Sequence, residues 1–212
     1  MTKLARLAGL ALLLLILPPL APPGPAQAVV TPEARTEVQR IEDYLNGLGN
    51  VRARVVQINP DGKTVTGTLY LSRPDRLRLA YDRPSRVLIV ANGPQLIYYD
   101  PQLNQLSYLQ VGSTPLGFLL ADRVRLGGNI AVTDLERAGD ELRVTLAQAG
   151  DPGAGRITLS FSEAPLELRG WTGTDPQWLT TYVILEDLER NVALRDDLFR
   201  FMNPRIFGDQ MR

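Results

Sequence analysis

The sequence contains no cysteine and no histidine among its 212 residues. Without cysteine it can form no disulfide, no thiolate nucleophile and no thiolate metal ligand, and no cysteine is present to carry a lipid anchor. Without histidine it lacks the side chain most often used as a general base at neutral pH and the commonest metal ligand. These absences disfavour enzymes and metal centres, so we predict a protein that is not an enzyme and needs no metal or other cofactor.

An excess of positive charge is also missing, because 23 Lys and Arg balance 23 Asp and Glu. Phosphate binding rests mainly on an excess of basic residues, so nucleic acid is not an expected partner. The sequence has no Gly-x-Ser-x-Gly elbow, no phosphate-cradling glycine loop and no Ser-x-x-Lys. Neighbouring carboxylates, as in Asp196-Asp197 and Glu186-Asp187, are typical of solvated ends of elements and make a weak case for a hydrolase.

Long hydrophobic runs are lacking as well. The apolar run from Leu7 to Leu17 is shorter than the roughly 20 residues that a membrane-spanning helix needs. Two basic residues precede it, and prolines followed by the small-residue pattern Ala26-Gln27-Ala28 come after it, an order typical of a secretory signal peptide. We therefore predict a cleaved signal peptide at residues 1–28 and a single domain at residues 29–212.

The domain is predicted to begin with an amphipathic helix. Thr31 suits the N-cap and Pro32 the first helical position. Apolar side chains then fall on one helical stripe, namely Ala34, Val38, Ile41, Leu45 and Leu48. Such a helix must lay its stripe on another apolar surface.

After Asn50 the apolar period changes to two, which predicts about 11 strands. We place them near residues 51–59, 64–72, 76–82, 86–91, 95–100, 104–110, 130–137, 141–148, 156–162, 166–173 and 179–186. Asn92-Gly93 is the clearest turn, because a type I′ hairpin needs positive φ at both central residues. Short connections predict antiparallel neighbours, and therefore one large curved sheet.

One segment interrupts the strands, at residues 113–122. It has a capping residue, a first-turn proline at Pro115 and apolar side chains on every face, which predicts a short, buried, inserted helix. This helix either plugs the core or takes part in binding a ligand, and the pattern leaves both possibilities open. Two short helices cannot cover so many strands, so a lipid-sized pocket on the concave face is physically reasonable.

Short motifs with specific order and spacing cover nearly the whole chain after residue 28. They are Gly67-Thr68-Leu69, Arg73-Pro74, Leu77-Arg78, Tyr81, Pro84, Ile89-Val90-Ala91-Asn92-Gly93, Tyr99-Asp100-Pro101, Leu103, Gln105, Thr114-Pro115-Leu116, Leu119-Leu120, Pro165-Leu166, Leu168, Gly170-Trp171, Leu198-Phe199, Phe201 and Pro204. Together they resemble the periplasmic outer-membrane lipoprotein carrier family, LolA.

The resemblance implies an α+β fold that is mainly β, namely an incomplete, strongly curved antiparallel β-barrel whose helices cover an apolar cavity for acyl chains. It implies a monomeric periplasmic carrier that takes triacylated lipoproteins from an inner-membrane ABC transporter of the LolCDE type. The carrier then passes them to an outer-membrane receptor of the LolB type, where one is present. The alternative is a periplasmic lipid- or glycolipid-binding regulatory or sensor module of the same fold.

The resemblance also assigns roles to single residues. Arg73 matches an arginine that latches the lid helix shut, the alternative being a solvated arginine at a strand end. Pro74 and Leu77 match a surface loop that docks transporter and receptor. The acyl-chain cavity is predicted to be lined by Leu69, Leu71, Leu77, Leu79, Tyr81, Leu88, Val90, Ile97, Phe118 and Leu119.

Arg76 and Arg78 alternate with Leu77 and Leu79. This alternation places both arginines on the outer face of a strand. The simplest interpretation is that both side chains face water. A weaker hypothesis is that they meet anionic headgroups or an acidic partner surface.

Overall fold

A computed structural model describes residues 32–114 and 117–203. One helix, α1 (Pro32–Asn46), precedes eleven strands. The strands are β1 (Asn50–Ile58), β2 (Thr64–Ser72), β3 (Arg76–Tyr81), β4 (Leu88–Asn92), β5 (Gln95–Asp100), β6 (Gln105–Gln110), β7 (Ile130–Ala138), β8 (Glu141–Gln148), β9 (Arg156–Glu163), β10 (Leu166–Thr174) and β11 (Thr180–Arg190). The predicted signal peptide, the Thr31 cap, Pro115 and Pro204 lie outside the described residues.

All eleven strands belong to one sheet of order β6-β5-β4-β3-β2-β1-β11-β10-β9-β8-β7. Two antiparallel meanders, β1 to β6 and β7 to β11, are joined where β1 pairs with β11. The two edge strands, β6 and β7, do not pair with each other, so the sheet curves without closing. The predicted fold class, an incomplete antiparallel barrel with a helix, is confirmed.

The inserted segment differs from its prediction. Instead of one short helix it forms two 3₁₀ turns, Val111–Ser113 and Gly117–Leu120. Gly117 lies against the Val111 carbonyl oxygen so closely that no Cβ would fit there. Leu119, Leu120 and the residues up to Leu126 then run beside α1, and we call residues 117–126 the lid segment.

The main core lies between α1 and the concave face of the sheet. Ile41 and Leu45 of α1 are fully buried in it, which confirms the predicted apolar stripe. Most strands of the sheet contribute alternate residues, such as Val55 of β1 and Leu159 of β9. Among the described helices, none is long and apolar enough to span a bilayer.

The convex face carries a second, smaller cover. The last described residues run back over β3 and β4 as a short turn (Asp196–Phe199), which we call the C-terminal turn. Phe199 is 1% exposed, and the ring of Phe201 lies 5.8 Å from that of Tyr99. The sheet is therefore packed on both faces around β3 to β5.

Candidate functional site

The concave face holds a small cavity of about 30 Å³, which Leu48, two residues past the end of α1, helps to line. Every residue that lines it is apolar, the set being Leu48, Val51, Leu69, Leu71, Leu77, Leu119, Leu168, Trp171, Leu185 and Leu188. Ligand pockets usually measure about 300–1,000 Å³, so this cavity is too small for such a ligand. A larger apolar guest would need the lining residues to move apart, and Leu119 of the lid segment is one of them.

Most of the predicted lining residues lie on the concave side. Leu69, Leu71, Leu77 and Leu119 line the cavity itself. Strand pairing puts Leu79 and Tyr81 on the same face, because Leu79 pairs with Leu69 and Tyr81 with Gly67. Phe118 is half-buried and packs against the same core.

Three predicted lining residues, Leu88, Val90 and Ile97, are on the wrong face. Leu79 and Leu77 face inward and pair with Ile89 and Ala91, so the alternate residues of β4 face outward. Ile97 pairs with Val90 and therefore also points to the convex side. Both faces of β4 and β5 are apolar, so alternation gave no sign of which face was inside.

The sequence analysis missed Leu48 and Val51, and it also missed the four lining residues that come from the far end of the chain. Leu168, Trp171, Leu185 and Leu188 reach the cavity because β11 pairs with β1. Turn motifs in the sequence indicate pairing only between consecutive strands. The pairing of β1 with β11 joins the first strand to the last, so no turn motif indicates it. A pairing prediction between β1 and β11 would have found these residues.

Arg73 lies in the turn between β2 and β3 and bonds to both α1 and the lid segment. Its Nη1 donates to the Leu45 carbonyl at the end of α1 (2.5 Å), and its Nη2 donates to the Ala121 carbonyl of the lid segment (2.7 Å). Longer contacts of 3.4 Å reach Asn46 Oδ1 and the Asp122 carbonyl. Burial lowers the pKa of the Arg73 guanidinium, an effect that Asp122 opposes. Arg73 Nε is buried with no hydrogen-bond partner in the described part of the chain.

Side chains of α1 hold the lid segment directly. Asn46 Nδ2 donates to the Val124 carbonyl (3.0 Å), while Asn46 Oδ1 accepts from the Val124 amide (2.8 Å). Glu42 Oε1 accepts from the Leu126 amide at 2.5 Å. The C-terminal half of α1 and the lid segment are therefore tied to each other as well as to Arg73.

A separate ion cluster anchors the N-terminal half of α1. Buried Glu37 accepts from Arg40 (2.8 Å) and from Arg137 of β7. Arg137 Nε also donates to Glu163 of β9 (2.8 Å), and Arg40 Nη2 donates to the Glu163 carbonyl (2.9 Å). The helix is thus fixed to the sheet at both ends by polar contacts around an apolar middle.

The predicted docking loop is smaller than expected. Pro74 is exposed in the turn that follows Arg73. Leu77, however, lies within β3 and lines the cavity, so its assignment to a surface loop is wrong. Its pairing with inward-facing Leu71 fixes this orientation.

Arg76 and Arg78 are on the convex face as predicted, but the C-terminal turn covers them. Arg76 bonds Asp196 at 2.6 Å and lies 5.1 Å from the ring centroid of Phe199. Arg78 Nη1 donates to the Leu198 carbonyl at 3.1 Å, and burial lowers the pKa of Arg78. The expectation that both face water is therefore wrong, because residues far along the chain return to this face.

A polar pair lies on the concave face at the end away from Arg73. The Tyr81 hydroxyl donates to Gln57 Oε1. Burial, helped by the nearby Tyr98, raises the pKa of Tyr81 to about 12. The hydroxyl therefore stays protonated at neutral pH and serves as a hydrogen-bond donor.

Comparison with known proteins gives one family, and relatives whose names agree with that family. The model of the outer membrane lipoprotein carrier protein LolA matches residues 46–202, which include every strand and the C-terminal turn. An outer-membrane lipoprotein carrier protein of Dechloromonas aromatica is 29% identical over 177 residues, covering 79% of this chain and 84% of the relative. One of Methylococcus capsulatus is 27% identical over 200 residues, covering 90% and 93%. A solved LolA superfamily protein of Nitrosomonas europaea superposes with a TM-score of 0.44 at 12% identity, covering 77% and 97%.

Proposed function

Because the chain belongs to the outer-membrane lipoprotein carrier family LolA, we propose that it binds lipoprotein acyl chains beneath α1 and carries them across the periplasm. The family consists of carriers rather than enzymes, and its cargo is lipoprotein. The finer proposal is that a LolCDE-type ABC transporter loads triacylated lipoproteins and that a LolB-type receptor, where present, accepts them. Removal of residues 1–28 after export would free the domain into the periplasm.

The observation that carries this proposal is the wholly apolar lining of the cavity. A buried methylene contributes roughly 0.8 kcal/mol, so exposing one long acyl chain to water costs on the order of 10 kcal/mol. A lining without charged or polar side chains suits such a chain and offers nothing to orient a polar ligand. The cavity must expand to accept the guest, which requires movement of its cover.

Arg73 is the proposed latch of that cover. Its two short hydrogen bonds join the end of α1 to the lid segment, so both parts are held by one side chain. An acyl chain that entered between them would separate Leu45 from Ala121 and break at least one of these bonds. Closing and opening would then depend on whether the cavity is occupied.

The carrier role is tested by incubating the purified chain, without residues 1–28, with spheroplasts. Release of lipoproteins into the supernatant in a complex with the chain is the expected result. Bound lipid without any release would instead support the alternative of a lipid-sensing module. If neither lipid nor lipoprotein binds, the proposal is wrong.

The latch is tested by Arg73→Ala, with Arg78→Ala as a matched control. Both arginines are partly buried and donate to backbone carbonyls, but Arg78 does so on the convex face. We expect Arg73→Ala to bind an apolar fluorescent probe about tenfold more strongly or better, since losing a charged hydrogen bond destabilises the closed state by about 1.5–3 kcal/mol. Arg78→Ala should leave probe binding unchanged. Equal probe binding by both variants would contradict the latch.

A further inference from the structure

A hydrogen bond crosses the concave face of the sheet at the end away from Arg73. The Tyr81 hydroxyl, at the end of β3, donates to Gln57 Oε1 in β1. Because β2 lies between β1 and β3, the bond passes over β2. We call the side chains of Tyr81 and Gln57 the crossbar.

Gly67 of β2 leaves the path of this bond free. It pairs with Tyr81 on one side and with Val55 on the other. Glycine is required at this position, because a Cβ would lie too close to the Ala80 carbonyl oxygen of β3. With no side chain at Gly67, the tyrosine can reach across β2 to the glutamine.

Between the crossbar and the Arg73 end, the same three strands present apolar side chains to the concave face. Strand register arranges six of these side chains in two rows across β1, β2 and β3. The rows are Val51, Leu71 and Leu77, and then Ala53, Leu69 and Leu79. Five of the six are buried, and four of the six line the cavity. The apolar surface of the cavity therefore continues along the strands toward the crossbar.

The apolar surface ends at the crossbar. Val55 is fully buried, whereas Gln57 and Asn59 are half-buried. Gln57 Nε2 donates to Asn59 Oδ1 at 2.6 Å, and residues 60–63 of the following connection are exposed. The crossbar thus lies where the buried apolar surface gives way to a polar connection that faces solvent.

We propose that the crossbar limits the length of the acyl chain that the cavity accepts, so that Tyr81 and Gln57 determine specificity for chain length. This inference rests on the proposed function, because it concerns the same cavity. A chain that enters at Arg73, between the end of α1 and the lid segment, would lie along β3 with its methyl end toward Tyr81. Leu77 and Tyr81 are about 13 Å apart along the strand, at about 3.3 Å per residue. An extended hexadecanoyl chain is longer than this distance, so its end would meet the crossbar.

The gain in affinity per methylene changes at the crossbar. Each methylene placed before it is buried against leucine side chains, which strengthens binding about fourfold. A methylene placed beyond it must break the hydrogen bond between Tyr81 and Gln57 and then meets the exposed connection. Binding should therefore strengthen with chain length up to one limit and then level off.

The test measures the binding of saturated fatty acids, from decanoic to octadecanoic acid, to the chain without residues 1–28. Each acid displaces an apolar fluorescent probe, at concentrations below those at which the acid forms micelles. In the unaltered chain, affinity should rise on the order of tenfold for each two added methylenes and then level off. In Tyr81→Ala the rise should continue to a longer acid. Octadecanoic acid should then bind about tenfold more tightly than it does to the unaltered chain.

Tyr70→Ala is the matched control, since Tyr70 is a half-buried tyrosine on the convex face of β2. It should leave the limit where it is in the unaltered chain. Gln57→Leu is a second variant, for the case that Tyr81→Ala does not fold. It removes the acceptor that holds the tyrosine across β2, so it should also move the limit to a longer acid.

An affinity that rises through the whole series in the unaltered chain would overturn the proposal. The same limit in Tyr81→Ala, Gln57→Leu and the unaltered chain would also overturn it, as would an equal shift in Tyr70→Ala. In each of these outcomes the cavity still binds acyl chains, so the carrier proposal stands. If no fatty acid binds to the unaltered chain, the proposed acyl-chain cavity is wrong, and this inference fails with it.

Discussion

The two faces of β3 to β5 are both apolar, yet they are covered in different ways. On the concave face, Leu77 borders an apolar cavity, which Leu48 also lines, just past the end of α1. On the convex face, Val90 and Phe199 are each 1% exposed, and neither belongs to the core cluster beneath α1. The convex side therefore forms a small packed core, whereas the concave side keeps an apolar cavity, where we propose that an acyl chain binds. The two faces differ in what covers them and not in the apolarity of their strands.

The largest expected effect comes from placing a charge on the concave face. Leu71→Glu puts a carboxylate into a cavity whose lining residues are all apolar, and we expect a loss of roughly 3–5 kcal/mol in the free energy of unfolding. Tyr70→Gln, at the adjacent half-buried residue on the convex face, should cost far less. Urea denaturation measures both variants. Similar losses would mean that the two faces are not different environments.

Removing the centre of the convex core should have the next largest effect. Phe199→Ala deletes a buried ring and its contact with Arg76, at a cost of about 3 kcal/mol. Hydrogen exchange should quicken in β3 and β4, which the C-terminal turn contacts. Apolar-probe binding in the cavity should not change. Met202→Ala, at a side chain that is 52% exposed, is the control, and a change in probe binding with Phe199→Ala alone would link the two faces.

The smallest effect is expected from Tyr81→Phe, which removes the hydrogen bond to Gln57 and should cost about 1 kcal/mol at neutral pH. Burial raises the pKa of Tyr81 to about 12, above its ordinary value of 10.0, so the folded state holds this proton more tightly than the unfolded state. The resulting stability is complete below about pH 10 and is lost as the pH rises through about 12.

Urea midpoints measured across this range should therefore fall less steeply for Tyr81→Phe than for the unaltered chain. Tyr44 and Tyr98, whose pKa values burial also raises, account for the alkaline loss that remains. Parallel curves for the two proteins would mean that Tyr81 is not buried as described.

Sequence patterns predicted the strands well, because most have a polar outer face and a clear period of two. Strands β2 and β8 begin and end at the predicted residues, and Asn92 and Gly93 lie between β4 and β5 as expected. Prediction failed where that period vanishes, in the continuous apolar runs of β4 and β5. In β4, the face on which Val90 lies follows from its pairing with Arg78 in β3. The pattern of apolar residues within β4 does not show this pairing.

The candidate site was predictable only in part for a similar reason. Leu69 and Leu71 follow from alternation in a single hairpin, whereas Leu185 reaches the cavity through the pairing of the first strand with the last. The cover over Arg78 likewise comes from residues more than a hundred positions later. Contacts of such long range carry no signal in local periodicity.

The buried Nε of Arg73 has a consequence for how firmly this side chain holds α1 to the lid segment. A buried donor without an acceptor costs about 1–3 kcal/mol, and that cost ends when the group reaches water. The contact is therefore weaker than its four hydrogen bonds suggest. If the proposed latch opens, each 1.4 kcal/mol of this penalty would multiply the population of open molecules about tenfold. An acceptor introduced beside Nε would then tighten the latch.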